Sequence, residues 1–172
     1  MPIRSPENIK VYRERINSLL DISVPISNND STDLNSAMRY SVINGGKRIR
    51  PLLIYTSGAC FNIKKDKLDV PAVAIELLHS FSLVHDDLPS MDDDDLRRGH
   101  PTTHKKFSEA TAILAADALQ TLAFEVLADS KNLNNSEKVQ IISLISKACG
   151  SSGICLLYTS SPRDAHESRM PS

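Results

Sequence analysis

Six of the ten residues from Asp86 to Asp95 are aspartates. Asp86 and Asp87 are followed by Leu88, Pro89, Ser90 and Met91, then by Asp92, Asp93, Asp94 and Asp95, with Leu96, Arg97, Arg98 and Gly99 directly behind. Carboxylates this dense repel: a pair about 4 Å apart costs several kcal/mol at a surface-like dielectric of about 20. Something positive has to offset that. Hard oxygen ligands with no Cys or His among them select Mg²⁺ or Ca²⁺ over zinc. The string lacks the alternating Asx ligands, central glycine and terminal glutamate of an EF-hand. Mg²⁺ commonly takes one or two carboxylates and completes its shell with water and phosphate oxygen. Two arginines just beyond the acids therefore suit a phosphate ester held by metal on one side and guanidinium on the other. A solvated acidic loop is the alternative; that Asp86 and Asp87 continue the apolar run AVAIELLHSFSLVH argues against it.

Two further groups could serve the same ligand. Gly45-Gly46-Lys47-Arg48-Ile49-Arg50-Pro51 falls at a helix-helix junction, where glycines expose backbone amides and Lys47 and Arg50 can converge on an anion. A basic helix end is common for reasons of the dipole alone. His79 precedes Asp86 by two helical turns, so the two share a face with Ser82 near the same line. A lone helical histidine is more often a packed core residue; one aligned with metal-binding carboxylates is equally placed to touch ligand.

These groups need a scaffold, and the apolar periodicity is helical nearly everywhere up to Ile154. Residues 7–20 set Ile9, Tyr12, Ile16, Leu19 and Leu20 on one stripe. Asn28 to Thr32 reads as a polar connector. A helix from about Asp33 turns Leu34, Ala37, Met38 and Ile43 inward and ends at Gly45 and Gly46, where glycine supplies a left-handed cap. Another starts near Pro51 and runs to Gly58, and residues 62–69 read as a charged loop. Asp69 is expected to cap a helix with Pro71 in its first turn. That helix and one over 109–128 are apolar around much of their circumference and belong in the middle of a bundle. A last helix spans Glu137 to Ala148 before Gly150. No segment alternates with period two, so the expected fold is all-α, a multi-helix bundle with central helices at about 72–87 and 109–128.

Composition narrows the function classes. The 172 residues are 41% hydrophobic, 5% aromatic and 24% charged, with net charge −1 and no tryptophan. That excludes disordered, collagenous and disulfide-rich classes. It provides no global field to attract nucleic acid or an anionic membrane. No apolar run approaches a membrane span and the N-terminus lacks a signal peptide's apolar core, so the cytoplasm is the default compartment. Cys60, Cys149 and Cys155 form no CxxC pair and read as reduced thiols. From Cys155 onward, CLLYTS, SPRD and SRMPS resemble the in-frame translation of a sequencing-library adapter. Residues 155–172 are accordingly set apart as non-native, and residues 1–154 are expected to form the N-terminal part of a single domain.

The motifs together resemble a known family. GGKRIRP at 45–51, ELLHSFSLVH at 76–85 and DDLPSMDDDDLRRG at 86–99 are similar to those of the trans-isoprenyl diphosphate synthases, most closely the bacterial-type farnesyl diphosphate synthases. The match runs from about Asp33 to Gly153. It implies an all-α bundle around a deep cavity, usually a homodimer, that condenses isopentenyl diphosphate with an allylic diphosphate. By the same resemblance Asp86 and Asp92 bind Mg²⁺ with Asp87 supporting, and Arg97 completes the catalytic set by contacting the allylic diphosphate. Lys47, Arg50, His79 and Arg98 hold isopentenyl diphosphate, and Phe81, with Ser82 beside it, limits chain growth. Plain core packing is the alternative role for Phe81. Continued helical winding would set Asp92 about 120° from Asp86 and bring Asp93 into line instead, so Pro89 must disrupt the winding if Asp92 is the ligand.

The implied chemistry ionises the allylic C–O bond with its diphosphate neutralised by metal and arginines. The double bond of isopentenyl diphosphate then attacks the cation, and a proton is lost. The family's second aspartate-rich motif, of DDxxD type, and a downstream lysine are absent from this sequence, so the chain itself is expected to be inactive. A geranylgeranyl-forming synthase, a catalytically silent helical partner subunit and a substrate-free cation-binding module are the competing readings.

Overall fold

The computed structural model describes residues 6–26, 33–151 and 153; the 28–32 connector and the adapter-like segment 155–172 lie outside them. Packing divides the chain into two units, Met1–Asn132 and Leu133–Ser172. The first holds α1 (Pro6–Ser23), α2 (Asp33–Ile43), α3 (Ile49–Cys60), α4 (Lys65–Asp86), a hairpin of β1 (Leu96–Arg97) and β2 (His100–Pro101), α5 (Thr103–Lys106) and α6 (Glu109–Ala128). The second holds α7 (Asn135–Cys149). The expected all-α fold is what forms, apart from the two-residue strands.

The core of the first unit is built on α4, which packs most extensively against α6 and also against α3, α1 and α2. Tyr55, Ile16, Leu20, Leu77, Leu78, Leu119 and Leu127 are fully buried, and such a side chain contributes about 1.5–3 kcal/mol by leaving water. Ile9 and Ile43, expected inside, are exposed; Tyr12 and Val42 fill those faces. α4 and α6 are each long and apolar enough, by length and composition, to cross a membrane, which departs from the expectation that no run approaches a span. An averaged hydropathy tolerates His79, Ser80 and Ser82 where an unbroken apolar run does not.

The start of α4 is the main correction. It begins at Lys65, with Pro71 inside and no side-chain cap, so residues 65–69 are helix and not loop. Pro71 has no N–H to give, which removes one helical hydrogen bond from this turn. Instead, Arg15 on α1 donates to Asp69 (Nε to Oδ1, 2.7 Å) and to Asp66 (2.9 Å), and the Tyr55 hydroxyl donates to Asp69 (2.8 Å). Tyr55 in turn stacks on Tyr12 with centroids 5.0 Å apart. Asp69 is therefore a buried acceptor that joins three helices, not a cap. The starts of α6 and α7 are capped: Ser108 accepts from the Thr111 amide, and Asn134 and Glu137 form a reciprocal capping box on α7.

Candidate active site

α4 ends at Asp86, and the chain turns back on itself. The Asp92 amide donates to the Asp86 carbonyl (2.9 Å), while those of Met91 and Asp93 donate to the Leu88 carbonyl (2.9 and 3.1 Å). The helical wheel does not extend past Asp86, so its 120° objection to Asp92 falls away. Asp92 is brought back beside Asp86, and Asp93 takes a left-handed conformation with φ 51°. Burial raises the Asp86 carboxyl above its ordinary value and the Asp92 charge adds to that, with Arg97 opposing. Asp86 and Asp92, joined through the backbone and each without an ion-pair partner among the described residues, are a donor set that fits Mg²⁺. No three acidic, His or Cys side chains among the described residues converge to hold a metal.

Asp87 is different. It is buried and accepts from Arg97 Nε at 2.6 Å, with a second guanidinium nitrogen closing the fork. Arg97 also reaches Asp94 (3.4 Å), and Lys105 pairs with Asp95 (2.8 Å), holding that carboxyl below its usual range. The loop's far end is fixed by Thr102, whose hydroxyl donates to the Asp94 carbonyl (2.8 Å) and whose amide donates to the Asp95 carbonyl (3.0 Å).

The hairpin that follows separates the two adjacent arginines. Arg98 and Gly99 are its two turn residues, both with positive φ (55° and 81°), as the twist of a tight hairpin requires. Arg97, on β1, faces Asp87. Arg98 reaches the other way and donates to the Gly45 carbonyl (2.5 Å). It lies so close over Gly46 that a Cβ there would stand 2.7 Å from its guanidinium nitrogen.

Arg98 thereby joins a pocket of about 430 Å³ lined also by Gly46, Lys47, Arg48, Ile49, Arg50, Glu76 and His79. The four residues expected to hold one diphosphate are thus assembled in one place. Lys47 and Arg50 are exposed and have no ion-pair partner among the described residues. Burial pushes His79 down to about 4, with Arg50, Arg98 and Arg97 adding to the effect and Glu76 opposing it. Its imidazole is neutral at pH 7 and offers a hydrogen bond rather than a charge. Phe81 is half-buried, edge-on to His85 at 4.8 Å and packed against Val84, Leu88, Ala112 and Ala116. The Ser82 hydroxyl donates to the His79 carbonyl (3.0 Å).

Sequence reasoning missed Arg48 and Glu76, a buried ion pair (2.8 Å) at the floor of this pocket. A signal was present: an acid three residues before His79, inside an otherwise apolar helix, has to have a partner. It also missed Thr102, and it read Gly46 as a cap and an exposed amide without the close approach of Arg98; both roles depend on contacts distant in sequence.

A family model for polyprenyl synthetase matches residues 31–154. The chain is 45% identical over 150 residues to the farnesyl diphosphate synthase of Haemophilus influenzae, covering 87% of this chain and 51% of that one. It is 41% identical over 144 residues to large subunit 1 of a chloroplastic heterodimeric geranylgeranyl pyrophosphate synthase from Arabidopsis thaliana, covering 82% and 38%. A crystal structure of a geranyltransferase from Legionella pneumophila superposes with TM-score 0.87 at 38% identity, covering 96% of this chain and 59% of that one. The chain spans about half the length of the curated relatives it matches. With its motifs, fold and family match in agreement, this chain belongs to the polyprenyl synthetase family.

Proposed function

We propose that this chain carries the half of a prenyltransferase active site that takes up both diphosphates. The whole enzyme would join isopentenyl diphosphate to dimethylallyl or geranyl diphosphate, giving farnesyl diphosphate and pyrophosphate, and would act as a homodimer. The observation that carries this reading is the pairing of one cation pocket, with Lys47 and Arg50 unpartnered among the described residues, and one loop that turns Asp92 back onto Asp86.

Lys47, Arg50 and Arg98 bind the diphosphate of the isopentenyl substrate by charge-assisted hydrogen bonds, and neutral His79 adds another. Asp86 and Asp92 would hold Mg²⁺, on which this family typically depends; when bound it supplies charge neutralisation of the leaving diphosphate. Asp87 keeps Arg97 facing the same group. Placing the two substrates together accounts for much of such a reaction, because the protein offers orientation and electrostatics and no nucleophile. Apolar side chains of α4 and α6 exclude water from a cationic intermediate. Phe81, on that wall, limits the growing chain. Its packing into the α4–α6 cluster favours, as a second reading, a geranylgeranyl-forming enzyme in which it is core. Phe81→Ala in a full-length protein separates the two: longer products support the first, unchanged products the second.

Calorimetric titration with isopentenyl diphosphate tests the pocket. The chain is expected to bind it, and the Lys47→Ala/Arg50→Ala variant to lose it; equal affinity in that variant overturns the reading. The sequence holds one aspartate-rich string and about half the length of its relatives, so the 172 residues alone should not turn over. Pyrophosphate release from isopentenyl and geranyl diphosphates with Mg²⁺ would refute that.

A further inference from the structure

An anion pocket with a carboxylate in its wall is a physical contradiction unless that charge is cancelled. Glu76 lines the cation pocket, is almost fully buried, and acts electrostatically on both His79 and Arg98. Its partner is Arg48. This residue is 4% exposed and takes a left-handed backbone, φ 53°, immediately ahead of α3. A side chain larger than glycine pays strain there, and three hydrogen bonds hold it in place. Nε donates to Asn17 on α1 (2.9 Å), Nη2 to the Val42 carbonyl at the end of α2 (2.8 Å), and Nη1 to Glu76 on α4 (2.8 Å). Lys47 precedes it and Arg50 follows two residues later, so the backbone that presents both depends on where Arg48 is anchored.

We infer that Arg48 is a positioning residue of the anion pocket: it neutralises Glu76 and pins the left-handed junction from which Lys47 and Arg50 reach a diphosphate. This rests on the proposed function in taking the pocket to be an anion site. The buried pair is not needed for stability as such, since a well-packed apolar pair is commonly as good. Its role is to let the middle of α4 carry Glu76 without repelling the ligand.

The test is calorimetric titration of the 172-residue chain with inorganic pyrophosphate in metal-free buffer, which leaves the aspartate loop out of the measurement. Arg48→Met leaves Glu76 charged and alone, and affinity is expected to fall roughly tenfold or more, as for truncating one partner of a buried charged pair. Glu76→Gln should bind more tightly while unfolding at a lower temperature, and Arg48→Met/Glu76→Gln should recover part of the lost affinity. A purely structural pair predicts another pattern: both single variants weaken binding in step with lost stability, and the double variant gains nothing. If Arg48→Met does not fold by circular dichroism, Glu76→Gln decides: tighter binding supports the inference and weaker binding overturns it. Unchanged affinity in folded Arg48→Met overturns the inference alone. An unaltered chain that binds no pyrophosphate overturns the proposed function and this inference with it.

Discussion

The cation pocket around Lys47 and the aspartate loop behind Asp86 differ in what fixes their charges. In the pocket, the buried charges are tied off before any ligand arrives, Arg48 against Glu76, while the Gly45 carbonyl only orients Arg98 and leaves its charge for a ligand. The groups left without ion-pair partners among the described residues are cations, Lys47 and Arg50 on a pinned backbone and Arg98 on the hairpin turn. In the loop, Asp87, Asp94 and Asp95 have basic partners, but Asp86 and Asp92 have no ion pair among the described residues, and burial and the Asp92 charge push the Asp86 carboxyl up with Arg97 opposing. One region is preorganised for an anion by the protein alone, and the other is completed only by a cation. On the proposed function this asymmetry lets two diphosphates enter on different terms.

The comparison breaks first at the pocket. Lys47→Ala/Arg50→Ala should weaken isopentenyl diphosphate about a hundredfold, since a hydrogen bond to a charged group contributes about 1.5–3 kcal/mol. Next comes the loop's structural pair. Arg97→Met strands the buried Asp87 carboxylate and should cost about 2–3 kcal/mol by urea unfolding, below the range for a fully buried pair because Arg97 is partly exposed. Arg97→Met/Asp87→Asn should regain much of that.

Smaller is Gly46→Ala, whose Cβ would displace the Arg98 guanidinium and whose φ of 127° disfavours alanine. A few-fold loss of pyrophosphate affinity is expected, with unfolding at lower urea because the strained backbone burdens only the folded state. His79 provides the pH arm. Its folded value of about 4 lies below the unfolded 6.5, so between these values the unfolded chain binds the extra proton. Stability is present above pH 6.5 and falls as pH drops toward 4; His79→Gln should flatten that part of the unfolding profile. Least affected is Lys105→Ala, which breaks a fully exposed pair with Asp95 and should leave the unfolding midpoint unchanged.

What the sequence made legible was local. The aspartate string, the basic run and the helical faces of α4 and α6 are short-range patterns, and Lys47, Arg50, His79 and Arg98 among the residues they single out line one pocket. Four features were not legible, each because it depends on distant contacts or on backbone sign. Asp69 has the residue type of a cap, and Arg15 and Tyr55 on two other helices make it a buried acceptor. Arg48 reads as one more exposed base in KRIR until its left-handed backbone turns it inward. Two-residue strands are too short for period-two alternation, so the hairpin that sends Arg97 and Arg98 apart left no pattern. The position of Asp92 needed the end of α4, which no wheel projection contains.

The central claim is that the pocket binds an anion on its own while the loop needs a divalent cation. The most direct measurement is geranyl diphosphate binding to the chain with and without Mg²⁺, repeated with Asp86→Ala. The account predicts a Mg²⁺-dependent component that Asp86→Ala abolishes, while metal-free isopentenyl diphosphate binding is kept. Mg²⁺-dependent binding that survives Asp86→Ala, or geranyl diphosphate bound equally well without metal, would contradict it.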